Sequence, residues 1–117
     1  MVREIRFYKT ASGRCPVREF LDSLNGRQAQ KVTWVLSLIE DLDTVPAKYF
    51  KKLVNTDDIW EARVNVGRDT FRFLAFFDGP TVVVLASGFS KKSQKTPKKL
   101  IALAEQRKRD YFHRRNP

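Results

Sequence analysis

In VREIRFY, residues 2–8, Ile5 and Phe7 flank Arg6, and this period of two predicts a strand. The turn-like TASGR follows. Pro16 then opens PVREFLDSL as the first residue of a short helix that stops at Asn25-Gly26. From Arg27 to Leu42 the spacing changes: Val32, Val35, Leu36, Leu38, Ile39 and Leu42 recur at steps of three and four, so one helical face turns inward. Pro46 marks the stop, and KYFKKLV leads on.

Three strand-like runs come next, IWEARVNV, DTFRFLAFF and TVVVLASGF, separated by the turn sequences Gly67-Arg68 and Asp78-Gly79-Pro80. They predict an antiparallel meander. Its middle run is apolar at nearly every position, the pattern of a central strand covered by helices on at least part of both faces. Thr96-Pro97 reads as an N-cap with proline at the first helical position, opening a helix that runs to the region of Arg115. Its Leu100, Ile101, Leu103, Ala104 and Tyr111 are expected to face the sheet, as Trp34 and Trp60 are expected to fill the core or its edge. The order of elements predicts an α+β fold: a small antiparallel sheet of about four strands, two N-terminal helices packed on it and a C-terminal helix. With no repeat or linker, residues 1–117 are expected to form a single domain.

Composition narrows the class. The chain is 42% apolar and 31% charged, which excludes disorder, and its longest apolar run is too short to span a bilayer. Met1-Val2-Arg3 leads directly into the first strand pattern without the apolar core of a signal peptide, so a cytoplasmic location is expected. Twenty-three Lys+Arg against 13 Asp+Glu give a net charge of +10, which suits a phosphate-bearing or acidic partner. Cys15 is the lone cysteine and His113 the lone histidine, and neither EF-hand nor HExxH spacing occurs; no metal or other cofactor is expected.

Cations gather in two places. Arg63 and Arg72 lie in consecutive strands and are expected on one face of a hairpin, with Arg68 in the turn between them. Two readings stand: ion pairs with Glu61 and Asp69, or a guanidinium pair holding a phosphate. The second place is GFSKKSQKTPKKL, residues 88–100, five lysines with no acid among them directly after an apolar strand. There Lys91, Lys92 and Lys95 extend the charge of Arg72, while Lys98 and Lys99 oppose the helix macrodipole, a local cost that a bound phosphate offsets. In the tail, Tyr111, Phe112 and His113 alternate with arginines, which fits either docking of the last helix or base stacking.

The strings IWEARVNVGRDTFRFLAFFDG and FSKKSQKTPKKLIALAEQRKRDY resemble the RelE/HigB toxins of bacterial type II toxin–antitoxin pairs, in particular the phage-derived HigB-like group. The resemblance extends over almost the whole chain. It implies a RelE-like fold and an endoribonuclease, an mRNA interferase that cleaves messenger RNA on the ribosome without a metal: the 2′-hydroxyl attacks the adjacent phosphate, giving a 2′,3′-cyclic phosphate and a 5′-hydroxyl. Such chemistry requires a base, positive charge for the phosphorane and an acid for the leaving oxygen. By the same resemblance Arg72 matches the arginine at the scissile phosphate and Arg63 a second, upstream contact. Lys91 and Lys92 fall where relatives place a basic or histidine residue, with general acid as the implied role. Glu61 is the candidate base, and an ion pair with Arg63 is its equally open alternative. Arg68, Lys95, Lys98 and Lys99 complete the implied RNA-binding set.

Relatives often have His or Tyr near the end of the last strand, where this chain has FSKKS. The resemblance further implies a cognate antitoxin from an adjacent gene, of a helix-turn-helix type in one version, with mRNA and the ribosome as the other partners and no membrane. Two competing readings are a ParE-like gyrase inhibitor and a non-catalytic basic module that binds RNA or protein.

Overall fold

The computed structural model describes residues 1–91 and 95–115, with Lys91 described by its backbone alone. Its elements are β1 (Glu4–Phe7), α1 (Pro16–Asp22), α2 (Gly26–Asp41), β2 (Phe50–Lys52), β3 (Trp60–Val66), β4 (Asp69–Asp78), β5 (Val82–Lys91) and α3 (Lys98–Arg115). The fold is α+β, with the strands in one sheet of order β1-β5-β4-β3-β2. Helix boundaries follow local chemistry. Pro16 starts α1, and Asn25 caps α2 through a reciprocal pair in which its side chain accepts from the Gln28 backbone and the Gln28 side chain accepts from its own.

The meander of β3, β4 and β5 is where the turn sequences put it. Two features of the sheet differ from expectation. It has five strands, because KYFKKLV contains β2, in which Phe50 is buried and Lys51 and Lys52 are exposed. It is mixed, because β1 pairs with β5 in parallel, Ile5 opposite Val83 and Phe7 opposite Leu85, while the other neighbours are antiparallel. A parallel neighbour requires a long crossover, which here carries α1, α2 and the rest of the sheet.

Strand alternation divides the sheet into two faces. Ala62, Val64, Phe71 and Phe73 point to the side covered by α1 and α2, where they pack with Val17, Val32, Val35 and Ile39. Leu74, Phe76, Val84 and Ala86 pack with Ala104 of α3, flanked by Leu100, Ile101, Tyr111 and Phe112. Gly88 of β5 lets α1 come close: a Cβ there would lie 2.8 Å from Cδ2 of Phe20 and 2.9 Å from Cε1 of Phe73. At the far end of α3, Tyr111 and Phe112 place their rings 5.3 and 5.7 Å from that of Phe76, and the Tyr111 hydroxyl donates to Asp78 at 2.7 Å. These aromatics therefore dock the helix rather than stand free for stacking.

Trp60 packs at the core edge, stacked on Phe50 at 4.9 Å. Trp34 departs from expectation: it is 44% exposed on the outer side of α2, where Lys31 lies 4.6 Å over its ring. The inward face of α2 is already filled by Val32, Val35 and Ile39. Among the described residues no helix is long and apolar enough to cross a membrane.

Candidate functional site

The β3–β4 hairpin turns at Gly67, whose φ of 59° suits a residue without a Cβ, and its register sets Arg63 directly opposite Arg72 and Glu61 opposite Leu74. All four belong to the face that α3 covers. Arg72 and Glu61 are 6% and 1% exposed, and Nη1 of Arg72 donates to Oε1 of Glu61 at 2.5 Å. The second carboxylate oxygen accepts from the hydroxyl of Thr96, just ahead of α3. Glu61 thus ties the central strands to the start of the last helix.

Burial pushes the Arg72 guanidinium below its usual pKa; the charge of Glu61 opposes that, and the field of Arg63 adds to it. A guanidinium nonetheless keeps its proton in proteins. Nε of Arg72 is buried and, among the described residues, has no hydrogen-bond partner. An unmade bond at a buried cationic donor is costly, and an incoming anionic oxygen removes that cost.

Arg72 opens onto a cleft of about 730 Å³ that is walled by β2, the loop of residues 53–56 and the first turns of α3. Lys51, Lys95 and Lys98 line it beside the arginine. The structure therefore brings together four of the expected site residues: Glu61, Arg72, Lys95 and Lys98. Arg63 is half-buried beside them, opposite Arg72 but outside the lining. Arg68 and Lys99 are exposed elsewhere, in the β3–β4 turn and on α3. Lys91 ends β5 opposite Thr70. Lys92 lies outside the described residues.

Three particulars change the picture. Glu61 pairs with Arg72, not Arg63, because the diagonal neighbour across the twisted hairpin reaches it; Asp69 instead accepts from the Gln28 amide at 3.5 Å. Almost wholly buried, with one oxygen on Arg72 and the other on Thr96, Glu61 has the environment of an anchor and not that of a base open to a substrate hydroxyl. Two contributors are also new. Lys51 is brought opposite Glu61 by the β2–β3 register, and the alternation in Phe50-Lys51 was its only signal. Thr96 appears in the sequence as a cap, and only the fold reveals its bond to Glu61. Among the described residues, no group of three or more His, Cys, Asp or Glu is placed to hold a metal.

The arrangement is suited to holding a phosphate. It has a guanidinium clamped by Glu61, a donor on that guanidinium without a partner among the described residues, and the lysines Lys51, Lys95 and Lys98 in the same lining. A family model described as phage-derived protein Gp49-like (DUF891) matches residues 19–109, which include β2 to β5, most of α3 and every residue of the cleft. No curated protein matches the chain.

Proposed function

Since the chain belongs to the phage-derived Gp49-like family, within the RelE/HigB-type toxin group, we propose that it is the toxin of a type II toxin–antitoxin pair and acts as a ribosome-dependent mRNA interferase. The observation that carries this reading is the Arg72 guanidinium: buried, clamped by Glu61 and, among the described residues, left with an unpartnered Nε in a lysine-lined cleft. In the reaction, the 2′-oxygen forms a bond to phosphorus while the bond to the 5′-oxygen breaks. One proton leaves the 2′-hydroxyl and one arrives on the 5′-oxygen. Arg72, itself almost wholly buried, faces the negative charge that grows on the non-bridging oxygens.

Glu61 and Thr96 act as positioning residues that hold that guanidinium. Lys51, Lys95 and Lys98 hold the flanking phosphates, with Arg63, Arg68 and Lys99 as outer contacts to RNA. Lys91 and Lys92 remain the candidates for the acid at the leaving oxygen, and the ribosome aligns the 2′-oxygen for attack. The partner that silences the toxin is an antitoxin whose acidic segment approaches the cationic cleft by electrostatic steering.

The deciding experiment is primer extension on a translated message after brief induction, comparing wild type, Arg72→Lys with its fold checked by circular dichroism, and a ribosome-free reaction. New ends that need both ribosomes and Arg72 are expected. Growth arrest without such ends would move the protein to the gyrase-inhibitor class, and cleavage undiminished in Arg72→Lys would remove Arg72 from the chemistry.

A further inference from the structure

The cleft beside Arg72 has a second wall of different character. Leu53, Val54 and Ile101 line it together with the lysines. Leu53 and Ile101 are partly buried members of the core under α3, whereas Val54 is 85% exposed. A single exposed valine is ordinary on a protein surface. This one differs because it extends an apolar wall into a charged cleft and because the loop that presents it is tied down at several points. Backbone bonds join Leu53 to Ile59 at 2.8 Å, and the Thr56 hydroxyl donates to the carbonyl of Leu53 at 2.9 Å and accepts from the Ile59 amide at 3.1 Å. Asp57 donates its backbone N–H to Glu105 at 2.9 Å, and Lys108 donates to the Asp57 carbonyl at 2.7 Å, so the loop is fixed to α3. Asn55 takes φ of 58°, a left-handed conformation that asparagine tolerates better than most residues.

A loop fastened in this way presents Val54 at a set position rather than letting it turn away. The surface is apolar, lies next to cations and is open to solvent, in a cleft of about 730 Å³ whose size suits a small ligand. One ligand class has parts for both kinds of lining: a nucleotide, with an anionic phosphate for Arg72 and a flat apolar base for Val54. We infer that Val54, backed by Leu53 and Ile101, is the base platform of the cleft and receives the face of the nucleobase adjoining the phosphate held at Arg72. This rests on Arg72 as a phosphate-binding cation, and it adds that the site takes nucleotides by their bases as well as by their charge.

The test uses the full chain and two fluorescent single-stranded RNA oligomers of equal length, both 2′-O-methylated so that neither is cleaved, one carrying bases and one abasic. Wild type should bind the base-bearing oligomer about tenfold more tightly, the scale expected from burying one valine-sized apolar contact. Val54→Ala should lose most of that preference while keeping its affinity for the abasic oligomer, and Arg72→Lys should weaken binding of both alike. A wild type without base preference, or a Val54→Ala variant that retains it, overturns the inference. Because no cleavage is read, the pattern can hold even if no messenger ends appear in cells. Conversely, cleavage that persists beside an indifferent Val54 rejects the platform and leaves the interferase reading intact.

Discussion

Glu61 and Arg72 lie on adjacent strands, offset diagonally by two register positions, and meet at 2.5 Å with side chains 1% and 7% exposed. Removing one partner of a buried ion pair strands the other charge, whereas replacing both need not be harmful. Glu61→Ala alone should therefore cost about 3–5 kcal/mol in urea unfolding. The combined Glu61→Gln, Arg72→Met variant should recover most of that loss, because the amide still meets the Thr96 hydroxyl and no charge is left unpaired. Messenger cleavage should not recover with it. A double variant as unstable as the single one would mean that the pair contributes more than mutual neutralisation.

Gly88→Ala should destabilise the protein by about 1–3 kcal/mol, the usual cost of overfilling a packed region. The added methyl enters the space between Phe20 of α1 and Phe73 of β4, whose rings already meet edge to face at 5.7 Å. Since α1 is on the opposite face from the cleft, growth arrest on induction should survive the substitution wherever the protein still folds. The check is a urea midpoint beside an induction assay; unchanged stability would mean that α1 is free to shift outward.

Acid should weaken the docking of the end of α3. Asp78 is held below the usual carboxylate range chiefly by the hydrogen bond from Tyr111, and Asp110 by that from Arg114 and then Tyr8. Both pKa values are depressed in the folded state, so the unfolded chain binds protons first as pH falls. The stabilisation is complete above the unfolded value of about 3.9 and is lost as pH drops through the lower folded values. Urea midpoints measured from neutrality into strong acid should fall more steeply for wild type than for Asp78→Asn, which starts lower and has less to lose. Parallel slopes would exclude this linkage.

How far the sequence could be read depended on the range of the determining contacts. Helices α1 and α2 and the meander are encoded locally by Pro16, by the capping pair of Asn25 and Gln28 and by the turns at Gly67 and Gly79, and those elements were legible. So was the opposition of Arg63 and Arg72, which follows from hairpin parity. The β1–β5 pairing joins distant segments and leaves no local trace. With three residues, β2 is too short to establish a period, and Lys51 was missed with it. The choice of Arg72 over Arg63 as the partner of Glu61 depends on strand twist, and the hydroxyl of Thr96 resembles a helix cap until α3 is placed over the sheet.

The parallel pairing of β1 with β5 also has a bearing on how the molecule comes into being. During synthesis Ile5 leaves the ribosome long before Val83, its eventual neighbour, so the earliest strand must wait for the latest one. The hairpins of β3, β4 and β5 are free to form first, as short-range contacts do, and β1 joins afterwards at the price of closing a long loop. Arg72 reaches its final environment later still, once Thr96 and α3 have been made and have folded over it. A nascent chain therefore carries its cationic cleft unfinished until Thr96 and the first turns of α3 have emerged and closed over it.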